Sequence, residues 1–166
     1  KPSSAASDVY KRQILESDAA ANLAMRVARS VDCQEQDENE KSISRIFTTI
    51  SKYWITKRAP YLIFEALECH GGPGYIEESI MPRLYREAPL NSIWEGSGNV
   101  MCVDVLRAMQ KDKNAISSVF NELEKARGLN AYYDLNVDNS LFKTMKTNTV
   151  LARFKVWYMP TFDWPS

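Results

Sequence analysis

Apolar residues recur every three or four positions from Ile14 to Ala126, and this periodicity constrains the fold more than any other feature. Leu15, Ala19, Leu23, Val27 and Val31 draw one stripe along a helix from about Ile14 to Val31. Asp32 to Lys41 is polar and acid-rich and reads as an exposed connection. Ser42 to His70 reads as a long helix. Ile43, Ile46, Phe47, Ile50 and Trp54 open its face, and Tyr61, Phe64 and Leu67 continue it. Pro60 lies inside this pattern and predicts a kink or one loosened turn. Gly71 and Gly72 end the helix with a left-handed cap. A shorter helix follows from about Glu77 to Tyr85, broken by Pro89-Leu90-Asn91. Ser92 is expected to cap the next helix, which carries Val100, Met101, Val105, Leu106 and Met109. Ala115 to Ala126 makes another, with Ile116, Val119, Phe120 and Leu123 on one side, before a turn at Gly128-Leu129-Asn130. Alternating strand patterns are absent. Helices that are apolar along one stripe and joined by short connections must bury those stripes on each other. The expected fold is all-α, an antiparallel helical bundle.

Both ends break the pattern. Lys1 to Arg12 is rich in Ser and Ala and lacks an apolar stripe, so no tertiary contacts are expected there. Ser3 to Gln13 resembles translated adaptor sequence, and residues 1–13 read as a non-native leader. Residues 14–127 form the helical domain. Residues 128–166 read as a divergent or frameshifted tail, in which Trp157, Tyr158, Phe162 and Trp164 sit among late prolines. The formal net charge is zero, so no global basic field steers the chain to nucleic acid. Cys33, Cys69 and Cys102 are widely spaced, and His70 is the single histidine. That set does not suit a metal site, and it fits reduced, structural, intracellular thiols. No stretch is apolar enough to span a membrane.

The run Asn91-Ser92-Ile93-Trp94-Glu95-Gly96-Ser97-Gly98-Asn99 carries the chemistry. One carboxylate stands between two apolar residues and a Gly-Ser-Gly triplet. Ile93 and Trp94 can lower the dielectric around Glu95, which raises a carboxyl pKa towards that of a general base. The glycines admit a ligand close to the backbone. A second reading fits the same residues. Ser92 and Glu95 have capping-box spacing, and Glu95 would then be a first-turn acid of a helix.

Upstream lie Glu68-Cys69-His70-Gly71-Gly72-Pro73-Gly74-Tyr75 and Arg83-Leu84-Tyr85-Arg86-Glu87. With the Trp-Glu-Gly-Ser-Gly-Asn run and the following Val100 to Arg107, they resemble the C-terminal domain of flavin-dependent acyl-CoA dehydrogenases. Within that family the match is most like the AidB, adaptive-response subfamily. The resemblance spans about Ile14 to Arg107.

The resemblance implies an antiparallel helical bundle preceded, in complete proteins, by a helical and a β-domain that supply most of a flavin pocket. It implies FAD as cofactor, an acyl-CoA substrate and a homotetramer, in the cytoplasm or, in a eukaryote, the mitochondrion. Glu95 matches the base that takes the α-proton while the β-hydrogen leaves as hydride to the flavin. Gly96 matches a residue along the acyl-CoA chain. Trp94, Ser97, Gly98 and Asn99 match positions that touch the flavin, and Gly71 and Gly72 match a contact to the flavin of a neighbouring subunit. Glu68 and His70 depart from the family's usual neutral residues, and His70 suits a helix C-cap. Arg83 and Arg86 suit surface ion pairs or, in a second reading, orientation of the flavin-side loop. Lys52, Lys57 and Arg58 read as a solvated basic face. The Ser97-Gly98-Asn99 version is AidB-like, which implies an alternative function: a DNA-associated alkylation-response protein with weak or vestigial dehydrogenase chemistry. Lys111, Lys113, Lys125 and Arg127 are offset by Asp112, Glu122 and Glu124, a thin basis for DNA binding.

Overall fold

Two long helices, α1 (Ser4–Cys33) and α2 (Glu38–Cys69), form the frame of the computed structural model, which describes residues 4–134. They run antiparallel. Gln13 Nε2 donates to the Leu62 carbonyl at 3.4 Å, Arg58 Nε to Glu16 at 2.8 Å, and Arg26 to Glu40 at 2.8 and 3.0 Å. Positions advancing along α1 thus meet positions receding along α2. Four further helices follow: α3 (Gly72–Tyr75), α4 (Met81–Glu87), α5 (Gly98–Lys111) and α6 (Ala115–Glu124), with a 3₁₀ turn at Ala88–Ser92 between α4 and α5. The described residues contain no strand, so the all-α bundle expected from the periodicity is the observed fold.

The contacts between α1 and α2 differ from the expected stripe. Leu15 is 70% exposed and Val31 is also exposed. Leu23 and Val27 of that stripe are half-buried as expected, but Glu16 and Arg26 join them, and Ser30 is fully buried, its hydroxyl donating to the Val27 carbonyl at 2.7 Å. Charge pairs anchor a seam where apolar side chains were expected. α1 also starts at Ser4, ahead of the expected Ile14, and the Arg12 guanidinium lies 5.1 Å from the Tyr61 ring centroid. The expectation that the first dozen residues lack tertiary contacts is therefore corrected: a cation–π contact holds Arg12 to α2.

Asp37 moves the start of α2 into the segment expected to be an exposed connection. Its carboxylate accepts from the N–H groups of Asn39 and Glu40, at 2.8 and 3.4 Å, and so caps the helix four residues before Ser42. Glu40 is only 7% exposed because the bidentate Arg26 pair neutralises it. Pro60 lies inside α2 without interrupting it, although its ring removes the N–H that the Thr56 carbonyl would otherwise receive.

α5 returns along α2. Arg45 meets Asp104, Ser42 meets Asp112 at 2.5 Å, and Gly98 lies against Tyr53 and Lys57. The core between them is formed by Ile46, Ala108 and Ala115, flanked by Phe47, Met109 and Val119. α4 starts at Met81 rather than Glu77, since Pro82 fits only the first helical turn. Phe64 of α2 and Tyr85 of α4 stand 5.7 Å apart in a tilted pair.

The chain divides into two compact units, Lys1–Val119 and Phe120–Ser166. In the second, the expected turn at Gly128 is present, with φ +85°, and the Asn130 side chain accepts from the N–H groups of Tyr132 and Tyr133. Tyr133 donates its hydroxyl to the Leu123 carbonyl at 2.7 Å. The tail aromatics Trp157, Tyr158, Phe162 and Trp164 lie outside the described residues. Among the described residues no helix is long and apolar enough to cross a membrane.

Candidate functional site

The Glu95 turn is built by backbone that leaves the right-handed region. The 3₁₀ turn ends as the N–H groups of Ile93 and Trp94 donate to the Leu90 carbonyl at 2.9 and 3.2 Å. Glu95 then takes φ +53° and Gly96 φ +115°. Glu95 is the only non-glycine with positive φ among the described residues. Such a conformation is uncommon for a residue with a Cβ and persists only where its surroundings fix it. Lys52 provides that restraint. Its ammonium donates to the Trp94 carbonyl at 2.7 Å and to the Gly96 carbonyl at 2.5 Å, bracketing Glu95 from α2.

This geometry overturns the capping-box reading. Ser97 is the N-cap of α5, and the Ser92 hydroxyl donates to the Pro89 carbonyl at 3.0 Å, closing the preceding turn. Two left-handed residues separate Ser92 from the helix, so the box cannot form. The two apolar neighbours do not enclose the carboxylate either: Ile93 is 62% and Trp94 56% exposed, and Glu95 is exposed with them.

The glycines divide by role. Gly98 is buried, and a Cβ there would stand 2.9 Å from Lys57 Cε and 3.0 Å from Tyr53 Cε2, so its bareness seats α5 on α2. A Cβ on Gly96 would meet Met101 Cε at 2.2 Å, and its positive φ also favours glycine. Ser97 makes no side-chain cap bond, and Ser97 and Asn99 are both exposed at the start of α5, where backbone N–H groups are free of intrahelical partners.

At the other glycine edge, Gly71 takes φ +63° and both Gly71 and Gly72 are exposed, with nothing within 4 Å of an added Cβ. Gly74, which carried no expected role, is the tightly packed one: a Cβ there would lie 2.3 Å from the Leu67 carbonyl oxygen. His70 caps α2, and its Nδ1 donates to the Ala66 carbonyl at 2.8 Å, as a C-cap histidine should. The two glycine edges are not brought together. Lys52 and Cys69 are separated by about 25 Å of helix at 1.5 Å per residue, which sets the Glu95 turn and the Gly71 edge apart along α2.

The basic face expected to be solvated is so at Lys57, which is exposed, whereas Lys52 and Arg58 are engaged. Lys52 binds the turn, Lys57 packs its stem on Gly98, and Arg58 pairs with Glu16 and lies 4.8 Å from the Trp54 ring centroid. Arg83–Glu87 at 2.9 Å and the bidentate Arg86–Glu77 pair are the surface ion pairs expected of them. Lys125 and Arg127 pair with Glu122 and Glu124. Among the described residues no cluster of three or more His, Cys, Asp or Glu could hold a metal ion. Burial raises the pKa of the Cys102 thiol, and all three cysteines are free. Sequence reasoning missed Lys52 and Gly74. The Lys52 bonds span more than forty residues, and a lysine within a long helix carries no local sign of them.

Comparison with known proteins supplies the family. Residues 11–110 match the acyl-CoA dehydrogenase C-terminal domain. The chain is 42% identical over 126 residues to the putative acyl-CoA dehydrogenase AidB of Escherichia coli, covering 76% of this chain and 23% of that protein. It is 31% identical over 105 residues to acyl-CoA dehydrogenase family member 11 of Caenorhabditis elegans, covering 63% and 17%. The solved structure of Caenorhabditis elegans ACDH-11 in complex with C11-CoA superposes with a TM-score of 0.64 at 27% identity, over 90% of this chain and 25% of that one. The chain thus spans about a quarter or less of the length of these relatives. With matching sequence, matching fold and a helical bundle of the same kind, the chain belongs to the acyl-CoA dehydrogenase family, whose C-terminal domain it carries at residues 11–110.

Proposed function

We propose that the chain is the C-terminal part of a flavin-dependent oxidoreductase acting on acyl-CoA thioesters, with Glu95 as the base. The observation that carries this reading is the Glu95 backbone. A non-glycine residue held at φ +53°, with an exposed carboxylate beside a bare Gly96, is strain of the kind that concentrates at functional sites. The related ACDH-11 was solved with C11-CoA, which supports an acyl-CoA ligand here.

Glu95 accepts the α-proton of the thioester on a carboxylate oxygen. Gly96 offers its backbone to the acyl chain, while the Met101 side chain fills the space where a Cβ would stand. Ile93 and Trp94, both exposed, form one apolar wall, which must be completed by other parts of the protein before water is excluded. The residues fit FAD at two edges. Ser97 and Asn99 offer a hydroxyl, an amide and backbone N–H groups at the start of α5, and Gly71 and Gly72 offer open backbone for a diphosphate, the latter to a neighbouring subunit's cofactor in a homotetramer. When bound, FAD supplies the acceptor for the β-hydrogen as hydride. The same reading implies a place in the cytoplasm, or the mitochondrion in a eukaryote.

The 42% identity to AidB favours a second reading, a DNA-associated alkylation-response protein with weak or vestigial dehydrogenase chemistry. The experiment that separates the two is anaerobic stopped-flow reduction of the full-length flavoprotein by a short branched acyl-CoA. The enzyme reading expects reduction by the wild type and a loss of roughly two to four orders of magnitude in Glu95→Gln. Equal rates in the two proteins remove the base assignment. No reduction of the wild type favours the AidB-like reading.

A further inference from the structure

We propose that Lys52 is the positioning residue for Glu95, an assignment that rests on Glu95 being the base. One ammonium holds two carbonyl oxygens that flank the carboxylate residue, Trp94 at 2.7 Å and Gly96 at 2.5 Å. Each peptide plane is rigid and trans, so fixing a carbonyl also fixes the N–H on its other side. Pinning the Trp94 carbonyl therefore turns the Glu95 N–H away from α2. Pinning the Gly96 carbonyl fixes the end of the two-residue left-handed segment. The backbone torsions of Glu95 lie between these two points. Without the ammonium, two carbonyls would face each other with no donor between them, and the turn could relax towards the right-handed region that a glutamate prefers.

Lys52 is well mounted for this task. It stands on α2, within a regular helix, and the Thr56 hydroxyl donates to its carbonyl at 2.7 Å. Its neighbours Tyr53 and Lys57 seat Gly98 at the start of α5. One face of α2 thus holds both ends of the segment from Trp94 to Gly98. A site supported by a helix is held more closely than one on a free loop, and a base displaced by about 1 Å loses on the order of 100-fold in rate.

The test uses the full-length flavoprotein in four forms: wild type, Lys52→Met, Lys52→Arg and Glu95→Gln. Two readouts are taken, flavin reduction by acyl-CoA and amide hydrogen exchange across residues 93–98. Lys52→Met keeps the apolar stem and removes the donor. It is expected to retain flavin, to slow reduction at saturating acyl-CoA by roughly 10- to 100-fold with little change in the half-saturating concentration, and to speed exchange in the turn. Lys52→Arg, which can still donate to both carbonyls, is expected to restore slow exchange and most of the rate. Lys52→Leu, which also lacks a donor, is added as a fifth form in case Lys52→Met does not fold, with the same outcomes expected of it. Wild-type exchange in Lys52→Met, or a wild-type reduction rate in it while Glu95→Gln is inactive, overturns the assignment. Glu95→Gln reducing at the wild-type rate overturns the base reading instead. The exchange data then judge Lys52 by themselves, and unchanged exchange overturns its role in holding the turn.

Discussion

Arg45 and Asp104 form a bidentate pair, at 2.7 and 2.6 Å, that ties α2 to α5 beside the core. Thr49 adds a third bond to the same carboxylate at 3.1 Å. The hydrogen bonds from Arg45 hold the Asp104 carboxyl below its ordinary value of 3.8, against the opposing effect of burial. The folded state thus binds the Asp104 proton less readily than the unfolded state. The resulting stabilisation is complete above the ordinary carboxylate value and is lost as pH falls through the depressed one. Asp104→Asn should lower stability by about 1 kcal/mol at neutral pH, because half of the Arg45 side chain is solvated and the pair is screened. The difference between variant and wild type should shrink on acidification. Urea unfolding followed by circular dichroism at pH 7 and at successively lower pH checks this, and a pH-independent difference would remove the pair from the explanation.

Arg26 and Glu40 are the more enclosed pair, with the Glu40 side chain 9% and the Arg26 side chain 17% exposed. Glu40→Ala strips both acceptor oxygens from a largely desolvated guanidinium. The expected loss is roughly 2 to 3 kcal/mol, well above that of a surface pair. The test is thermal unfolding of Glu40→Ala beside Glu38→Ala, whose partner Lys41 is exposed. Equal effects in the two variants would mean that burial of the pair contributes nothing.

The bundle was legible in the sequence where its signal is local. Ile43, Ile46 and Phe47 recur at helical spacing and do enter the core or pack against it. The boundaries were less legible, because they depend on competing caps. Asp37 captures the start of α2 ahead of Ser42, and Pro82 confines the start of α4. The α1 stripe held at Leu23 and Val27 but not at Leu15 or Val31: Arg26 and Glu16 find charged partners on α2, so polar residues turn inward while Leu15 turns out. At the site, motif resemblance brought out Glu95 and its glycines. The restraint on Glu95 stayed hidden, since Lys52 meets Trp94 and Gly96 only after α2 and the turn are assembled.

Gly98 is closely packed and Gly72 is open. Gly98→Ala places a methyl group against Tyr53 and Lys57, and although the lysine can move, the ring lies between two helices. A loss of about 1 to 3 kcal/mol is expected in denaturant unfolding. Gly72→Ala meets nothing within 4 Å and should leave stability within about 0.5 kcal/mol of wild type. If Gly72→Ala nevertheless lowers flavin content in the full-length protein, the open backbone at that edge is a contact surface. If flavin content is unchanged, the edge is only a helix stop.

The 166-residue chain purified alone is expected to hold no flavin. Its two glycine edges lie about 25 Å apart along α2, and a tightly held cofactor needs enclosing walls. Absorbance in the flavin bands after desalting is the measurement. A stoichiometric yellow protein would show that these edges suffice.

Glu95 should be a residue whose removal stabilises the fold. It takes φ +53° with a Cβ in place, a conformation that disfavours side chains other than glycine by about 1 to 2 kcal/mol. Glu95→Gly relieves that strain but widens the unfolded ensemble, so the expected net gain is near 0.5 to 1 kcal/mol. Glu95→Gln keeps the strain and should leave stability nearly unchanged, because no capping box is lost. The order expected in denaturant unfolding is therefore Glu95→Gly above wild type and Glu95→Gln level with it. In flavin reduction by acyl-CoA, both variants should fail together. Stability rising while reduction vanishes is the pattern of a residue kept for chemistry at the expense of local strain. A Glu95→Gly variant less stable than wild type would instead mean that the carboxylate supports the turn, and the strain would no longer point to function.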